Sequence, residues 1–458
     1  MIFSAVRNAA RGAMATVIVY PLTERYEARD IRSKMKWVRK EIDLPVAARR
    51  ARAVARLAQT VRFAGATVPY YRDLFVSIGF DPDKIDADIR YLEDLPYLTK
   101  DIIREQGDRL LNENRGEERI HIARTGGSTG PSAEIHYDQA AADWSSAITR
   151  ESRRRIGNTH WRSELHFASS FPEVFPWRDR LREQIKCLAM NRDNIFFEDF
   201  SSAEFERIWR KIKTIRPHLV HAHPSTVDQL AAHVEKTRSS DKGFAVFESS
   251  GELLQTSQRD RIERVLKCRV INRYGLAEAG VVAYQLEQDN TDMSFHDFFA
   301  WPELRPDAET GLDNVPDGAD SGELVITPLF NRLMPLLRYR TGDNVVLSSG
   351  PNGFAIPRMI GRVHDVVMLA GKPLPTHYIQ DVLDRVGGIR EFQIQMRNDK
   401  PVFRLVPEDG ADTSAIKERI ASWWADAVDV EFIALDALIR VGARQKFRHV
   451  VPEKVASL

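Results

Sequence analysis

The hydrophobic pattern in the middle of the chain alternates between two periods. Short apolar runs typical of strands are separated by segments in which apolar side chains recur every three or four residues, as on one face of a helix. The runs predicted as strands are 165–168, 219–223, 246–252, 269–272 and 322–327. The segments predicted as helices are 201–215, one that begins at Pro224, and 258–266. This alternation predicts an α/β domain with parallel strands, whose ligands bind beyond the carboxyl ends of the strands.

The pattern differs at the two ends of the chain. Residues 30–41 have the spacing of a basic amphipathic helix, and Thr99 is placed to cap a helix that begins at Lys100. The last hundred residues predict a small α+β unit, with strands at 366–369, 392–396, 402–406 and 428–434 and helices at 377–386 and 414–424. We therefore predict a large domain at residues 1–360 and a small C-terminal lid domain at residues 361–458.

Composition narrows the class of protein. The 458 residues, 43% of them hydrophobic and 29% charged, are typical of a globular chain with more than one domain. The 66 basic and 65 acidic residues nearly balance, so the overall charge does not favour a nucleic-acid partner. Only two cysteines occur, which excludes a disulfide framework and fits a reducing, cytoplasmic location. No apolar run is long enough to be a transmembrane segment.

Basic residues are concentrated near the N-terminus. Residues 1–63 carry fourteen Lys or Arg against five Asp or Glu. This excess favours a solvated helical face and leaves open a membrane-surface or partner-binding role.

A loop rich in glycine and hydroxyl side chains comes after the first predicted helices. Its members are Thr125, Gly126, Gly127, Ser128, Thr129 and Gly130. Glycines let backbone N–H groups approach phosphate oxygens closely, and the hydroxyls add donors. The loop is not a Walker A motif, because Pro131 follows Gly130 where that motif requires Lys. A solvent-exposed turn has a similar composition, so the phosphate-binding interpretation depends on motifs later in the chain.

Further motifs occur in order along the chain, and together they resemble the adenylate-forming superfamily of acyl- and aryl-CoA synthetases. They are Asn-Arg-Tyr-Gly-Leu-Ala-Glu at 272–278, Arg-Tyr-Arg-Thr-Gly-Asp at 338–343, Gly-Arg-Val-His-Asp at 361–365, and a lysine near the C-terminus, Lys446. The stretches 68–71, 94–100, 322–324 and 334–339 resemble the phenylacetate–CoA ligase branch, which includes CapK-like and coenzyme F390 synthetase-like proteins. The resemblance is weakest over residues 1–60.

The resemblance implies a reaction in two steps. A carboxylate attacks the α-phosphate of ATP and releases pyrophosphate, and the acyl adenylate then passes its acyl group to a second nucleophile, usually the thiol of CoA. Enzymes accelerate such steps mainly by positioning and electrostatic stabilisation. The implied small molecules are ATP, Mg²⁺, a carboxylic acid, and CoA as co-substrate.

The resemblance assigns a nucleotide-binding role to several positions. The loop 125–130 is implied to hold the β- and γ-phosphates, Tyr274 to offer an aromatic face to adenine, and Asp343 to accept both ribose hydroxyls. The other implied nucleotide-binding residues are Ser250, Gly251, Glu252, Arg273 and Gly275. Taken alone, Tyr274 also fits a core aromatic and Asp343 a turn residue.

Catalytic and metal roles are implied for charged residues. Lys446 would neutralise the α-phosphate and bridge to the acyl carboxylate, and Arg362 would hold ribose or phosphate oxygens. Glu278 offers the hard oxygens that suit Mg²⁺. Each also fits an ordinary surface position, Lys446 most of all because Arg444 and Arg448 flank it.

Two positions depart from the pattern of the superfamily. The loop lacks the Lys or Arg that often comes after its last glycine, and the hinge position carries His364 in place of Asp or Lys. Since histidine titrates near neutral pH, we expect His364 to make rotation of the small domain sensitive to pH.

The acyl pocket is expected near the end of strand 219–223. His223, Pro224 and Phe247 are the predicted substrate-binding residues, and the aromatic residues around them suggest an aromatic or apolar acid. His218, His221 and His223 leave a metal site open, although no further Cys/His cluster completes it.

Three functions remain open. The first is an acid–CoA ligase, and the second is an adenylating enzyme whose acceptor is an amine or a carrier-protein thiol. The third, a non-enzymatic nucleotide-binding scaffold, is disfavoured because Thr129, Glu278, Asp343, Arg362 and Lys446 are all present. The sequence identifies neither the acid nor the acceptor, and it leaves a homodimer open.

Overall fold

The structure is a computed structural model that describes most of the chain. The described residues are 2–116, 119–124, 133–169, 177–197, 201–287, 289–305, 318–362, 366–369, 372–375, 379, 382–383, 386–398, 400–441 and 446–451. The predicted phosphate loop at 125–130, the hinge residue His364 and parts of the predicted helix 377–386 lie outside this set.

Several of the described helices begin at a residue whose side chain caps them. They are α1 (Ile2–Met14), α2 (Tyr20–Tyr26), α3 (Ile31–Ile42), α4 (Val46–Thr67), α5 (Pro69–Ile78), α6 (Lys100–Gln106), α7 (Gln139–Arg155), α8 (Trp177–Ala189), α9 (Ser202–Ile215), α10 (Pro224–Arg238), α11 (Thr256–Leu266) and α12 (Thr413–Trp424). Thr99 Oγ1 accepts the Ile102 N–H at 3.3 Å, which confirms the predicted cap of α6. A π-helical segment, Ala15–Val19, joins α1 to α2.

The strands fall into one large sheet and several small ones. Those of the large domain are β1 (His121–Arg124), β2 (Glu134–Tyr137), β3 (Glu164–Ser169), β4 (Arg192–Phe197), β5 (Leu219–Ala222), β6 (Val246–Ser249), β7 (Arg269–Leu276), β8 (Gly280–Tyr284), β9 (Met293–Phe295), β10 (Ala300–Arg305), β11 (Ala319–Pro328), β12 (Tyr339–Gly350) and β13 (Gly353–Arg362). The later strands are β14 (Val366–Leu369), β15 (Lys372–Pro375), β16 (Ile389–Arg397), β17 (Lys400–Pro407), β18 (Asp429–Phe432), β19 (Arg440–Val441), β20 (Lys446–Phe447) and β21 (Val450–Val451).

The large sheet has eleven strands in the order β10-β11-β12-β13-β9-β8-β7-β6-β5-β3-β4. The neighbours from β4 to β7 pair in parallel, and the remaining pairs are antiparallel. The predicted α/β fold with parallel strands is therefore confirmed. The predicted turn at 274–275 is wrong, because β7 continues to Leu276 and returns as β8 in an antiparallel hairpin.

Two apolar clusters cover the two faces of the parallel strands. Residues of α9, α10 and α11 pack on one face against Val220, Phe247 and Val270. The neighbouring residues Leu219, Val246 and Ile271 belong to a second cluster that includes Ile156, directly after α7. Successive side chains of a strand point to opposite faces, so this parity decides which residues can reach a site on the α7 side.

Basic residues of the N-terminal helices pair with acids elsewhere in the same chain. Arg39 lies 3.2 Å from Glu151, and Arg49 lies 2.9 Å from Asp297. Both acids are buried. These two ion pairs therefore attach α3 and α4 to later parts of the large domain.

The C-terminal residues form a separate packing unit. Strands β18-β17-β16-β21 make a four-stranded sheet, and α12 packs against it through Ile416, Ile420 and Trp424. This matches the predicted α+β unit. The domain boundary at residues 360 and 361 stays a prediction, and β13 runs to Arg362. In the part of the chain that the structure describes, no helix has the length and apolar character needed to cross a bilayer.

Candidate active site

A cavity of about 2610 Å³ lies at the carboxyl ends of β3, β5, β6 and β7. Its wall includes His221 and His223 from the end of β5, Gly251 after β6, and Glu278 after β7. Ligands of parallel α/β sheets bind at this edge, so the cavity is where the alternating pattern predicts a site.

The turn after β6 is fitted to a histidine on the neighbouring strand. His223 Nδ1 lies 2.8 Å from the Ser250 carbonyl oxygen. Gly251 has a φ of +85°, and a Cβ added there would lie 2.6 Å from His223 Cε1, so only glycine fits. The structure thus brings His223, Ser250 and Gly251 together on the cavity wall. Pro224 begins α10 beside them, and Glu252 accepts the Ser225 N–H at 3.3 Å.

Tyr274 and Asp343 come from different motifs and meet in the interior. The Tyr274 hydroxyl donates to Asp343 Oδ2 at 2.7 Å, and both residues are buried. Burial, followed by the charge of Asp343, raises the pKa of Tyr274 well above its usual value. Their strands are four positions apart in the sheet, which would be about 19 Å if the sheet were flat. The contact therefore requires that the sheet curl between β7 and β12.

Glu278 lies on the cavity wall and is buried. Its Oε1 accepts the hydroxyl of Tyr339, from the motif that also carries Asp343, at 2.5 Å. Among the residues that the structure describes, no group of three His, Cys, Asp or Glu could hold a metal. A single carboxylate still fits Mg²⁺, which binds through one or two carboxylates, waters and substrate phosphates.

Arg273 also lies on the cavity wall, where it belongs to a buried charge network. Its Nε donates to Ser250 Oγ at 3.2 Å, and its Nη1 lies 3.5 Å from Glu248 Oε2. Glu248 is fully buried, and Arg153 Nη2 lies 2.5 Å from its Oε2. The Tyr284 hydroxyl donates to Glu248 Oε1. The opposing charges of Arg153 and Arg273 outweigh burial and hold the pKa of Glu248 well below its usual value.

Sequence reasoning missed this network, which we call the paired network (Arg153, Glu164, Glu248, Arg273, Tyr284). Glu164 Oε2 lies 2.6 Å from Arg153 Nη1, and its pKa is lowered to about 2 because the charge of Arg153 outweighs burial. A signal was available, since Glu248 is the one charged residue of β6 and directly follows Val246 and Phe247. Its partner lies 95 residues away, which no local pattern could indicate.

Two histidines of the cavity wall contact the same network. His221 Nδ1 lies 2.8 Å from Glu248 Oε2, and His166 Nε2 lies 3.1 Å from Glu164 Oε2. Burial lowers the pKa of His221 to about 3 and that of His166 to about 4, so both rings are neutral at pH 7. His221 contacts the Glu248 carboxylate, and His223 contacts the Ser250 carbonyl oxygen. Because both rings are engaged in this way, the structure does not support the metal site considered from the sequence.

The structure does not support a substrate contact for Phe247. Its side chain is fully buried in the cluster formed with α9, α10 and α11, on the sheet face opposite the cavity. Its neighbour Glu248 is the residue that points toward α7, because adjacent residues of a strand face opposite ways.

For the two predicted catalytic cations, Arg362 and Lys446, the structure describes the backbone only. Arg362 on β13 is the cross-strand partner of Asp343 on β12. Lys446 on β20 pairs with Val441 on β19. Three residues later, His449 Nε2 lies 2.9 Å from Gln255 Nε2, at the start of α11 in the large domain. Since three residues span at most about 10 Å, the Lys446 backbone lies within that distance of His449, the residue that contacts Gln255.

Comparison with known proteins agrees with the motifs. Phenylacetate-coenzyme A ligase of Thermus thermophilus is 26% identical over 424 residues, which cover 84% of this chain and 92% of the relative. Protein CapK of Staphylococcus aureus is 22% identical over 366 residues, covering 77% of each chain. No family model matches the chain.

The fold is also that of a solved CoA ligase. 2-Hydroxyisobutyryl-CoA ligase in the postadenylation state, in complex with R3-HIB-AMP, superposes with a TM-score of 0.68 at 19% identity, covering 90% of this chain and 91% of that chain. The resemblance to adenylate-forming CoA ligases of the phenylacetate–CoA ligase and CapK-like branch, stated from the motifs, is therefore confirmed. So is the expected architecture of a large N-terminal and a small C-terminal part.

Proposed function

We propose that this chain is an AMP-forming ligase that activates a carboxylic acid with ATP and transfers the acyl group to the thiol of CoA. One observation carries the proposal. Residues of two motifs that are 61 to 69 residues apart in sequence make paired contacts in the interior: Tyr274 with Asp343, and Glu278 with Tyr339. The sheet must curl to allow these contacts, and Glu278, one of the four residues, lies on the cavity wall.

In the first step the acid carboxylate attacks the α-phosphorus of ATP. The bond between the α-phosphorus and the bridging oxygen breaks, pyrophosphate leaves, and an acyl adenylate remains. In the second step the CoA thiol loses its proton and attacks the acyl carbon, and AMP leaves. An amine or a carrier-protein thiol in place of CoA would require the same first step.

The nucleotide is assigned to the edge formed by β7 and β12. Asp343 would accept the ribose hydroxyls, with the Tyr274 hydroxyl holding one carboxylate oxygen at 2.7 Å. Ser250, Gly251 and Gly275 would form the walls around adenine, and the loop 125–130 would hold the phosphates. Glu278 would hold Mg²⁺, which supplies charge neutralisation for the phosphates when bound. Arg273 is instead assigned to the acid side, since its guanidinium lies at Glu248.

The reacting carboxylate is assigned to the space between His223 and Glu278. Lys446 and Arg362 would stabilise the negative charge that develops on the α-phosphate, in the way of preorganised cations in water-poor sites. We assign the rotation of residues 361–458 between the two steps to the segment that contains His364.

The test is pyrophosphate release from ATP and Mg²⁺ across aromatic, fatty and amino acids, with and without CoA. We expect release that depends on the acid and rises with CoA. Lys446→Ala should abolish release, whereas Lys400→Ala, which removes an exposed lysine of the same unit, should not. Asp343→Ala should weaken ATP binding. Pyrophosphate release that does not change when CoA is added would indicate that the acceptor is an amine or a carrier protein. No pyrophosphate release with any acid would contradict the proposal.

A further inference from the structure

One face of α7 lines the cavity along most of its length. Ala142, Ser146 and Arg150 each come four residues after the last and therefore share a face of the helix, and all three line the cavity. The eight residue-to-residue steps from Ala142 to Arg150 span about 12 Å at 1.5 Å each. Along this helix the cavity wall thus changes from small side chains, near the nucleotide edge, to an arginine at the far end.

Arg150 is partly buried, and the groups that its guanidinium contacts are uncharged. It lies over the ring of Tyr20, 4.2 Å from the centroid, and its Nη2 is 2.6 Å from Met190 Sδ. Its Nε is buried and meets no hydrogen-bond acceptor among the described residues. Within the described ranges, no carboxylate oxygen forms an ion pair with Arg150, whereas Arg153 on the same helix has two.

The acids nearest to Arg150 are already engaged. Glu164 Oε1 accepts a hydrogen bond from Asn158 Nδ2 at 2.8 Å, and Glu164 Oε2 contacts both Arg153 and His166. Asp143 is paired with Arg29 at 2.7 Å, and Glu24 is paired with Arg32. Once these pairs are matched, Arg150 contributes an unbalanced positive charge to the cavity wall.

The charges and burial around Arg150 also affect the pKa of its guanidinium. Burial is the largest influence on Arg150 and lowers its pKa; Tyr20 and Glu164 oppose this shift, and the like charges of Arg153 and Arg29 add to it. An arginine keeps its proton under these conditions, so the site holds a cation that is short of a counter-ion. An anion arriving from the cavity would meet the planar, two-pronged donor that carboxylates favour.

We propose that Arg150 binds a second anionic group of the acid substrate, so that the cavity selects carboxylic acids with a distal carboxylate or similar anion. The proposal rests on the proposed function, because one carboxylate must react at the nucleotide edge while the other lies at Arg150. It also gives a role to the segment around Tyr20, which lies in the part of the chain where the motif resemblance is weakest.

The test compares acids that differ only in the distal group. The pairs are octanoate with octanedioate and phenylacetate with (4-carboxyphenyl)acetate, measured by pyrophosphate release. We expect the diacids to be preferred by about tenfold or more in kcat/KM, the size of one charge-assisted contact. Arg150→Met should remove the preference by raising KM for the diacids with kcat little changed, and Arg150→Lys should restore part of it. Arg154→Met is the control, since Arg154 pairs with Glu151 and lies away from the cavity.

A binding measurement separates this proposal from the proposed function. Calorimetry of octanedioate and (4-carboxyphenyl)acetate with the wild-type chain and with Arg150→Met, in the absence of ATP, needs no turnover. Tighter binding to wild type than to Arg150→Met supports the site even if no acid releases pyrophosphate. Equal binding to both, or a preference for octanoate and phenylacetate that Arg150→Met leaves unchanged, overturns it. A lowered melting temperature of Arg150→Met with unchanged acid preference would show that Arg150 is structural.

Discussion

Arg150 and Arg153 lie three residues apart on α7, and the charges around their guanidinium groups differ. Arg153 is enclosed by Glu164 and Glu248, with contacts of 2.5 to 2.6 Å. Arg150 faces a tyrosine ring, a methionine sulfur and the cavity. Buried charges that are fully paired hold elements together, whereas a buried charge left without a partner costs stability and is available to a ligand. Arg153 therefore holds together the elements that form the site, whereas Arg150 is available to bind a ligand.

The largest expected effect is the contrast between two matched substitutions. Arg153→Met leaves Glu164 and Glu248 buried without their main counter-ion, and we expect the free energy of unfolding to fall by about 3–5 kcal/mol. Arg150→Met removes an unpaired charge and should leave the free energy of unfolding unchanged or higher. Urea denaturation of both variants checks this. Equal losses would show that the two arginines play the same structural role.

The next effect concerns pH. His221 is neutral in the folded protein, with a pKa lowered to about 3 by burial, and it has a pKa near 6.5 when unfolded. Protons therefore bind the unfolded chain more readily between these values, and stability falls as pH drops below about 6.5. We expect His221 to account for a loss of about 2 kcal/mol between pH 7 and pH 5.

The measurement is the free energy of unfolding from pH 7 to pH 5 for wild type and His221→Gln. The variant should lose less stability over this range. A similar slope in both proteins would mean that His221 is not held neutral by its buried position.

The smallest effect compares two buried tyrosines. Tyr284 donates to the carboxylate of Glu248, so Tyr284→Phe should lower the free energy of unfolding by about 1–2 kcal/mol. The Tyr20 hydroxyl, at the far end of the cavity, is buried and meets no partner among the described residues. Tyr20→Phe should therefore be close to neutral. Thermal denaturation of both variants checks this prediction. A larger loss of stability in Tyr20→Phe than in Tyr284→Phe would contradict it.

The sequence was informative where local rules decide the structure. Alternation of strand and helix spacing predicted the parallel strands, and Thr99 was identified as a cap before α6. The motifs indicated Tyr274, Asp343 and Glu278; the structure pairs Tyr274 with Asp343 in the interior and places Glu278 on the cavity wall. Such features depend on neighbours within a few residues, or on patterns whose meaning is independent of the rest of the chain.

The sequence failed where the answer depends on which face of an element is enclosed. Phe247 and Glu248 are adjacent, and only the packed sheet shows that Glu248 faces α7. Arg150, Arg153, Arg154 and Arg155 lie close together in the sequence, near the end of α7. The positions of Arg150 and Arg153, three apart, turn them inward, while Arg154 remains partly exposed. Tertiary packing, rather than composition, made one of these arginines a structural ion and another a candidate binding group.

The most direct test of the central claim traces the oxygen atoms of the acid. A carboxylic acid that supports pyrophosphate release would be labelled with ¹⁸O in both carboxylate oxygens and incubated with ATP, Mg²⁺ and CoA. Attack of the carboxylate on the α-phosphorus predicts that AMP, measured by mass spectrometry, carries one labelled oxygen for each acyl-CoA formed. Unlabelled AMP, or formation of ADP and phosphate instead, would contradict an acyl adenylate and with it the assignment of this site.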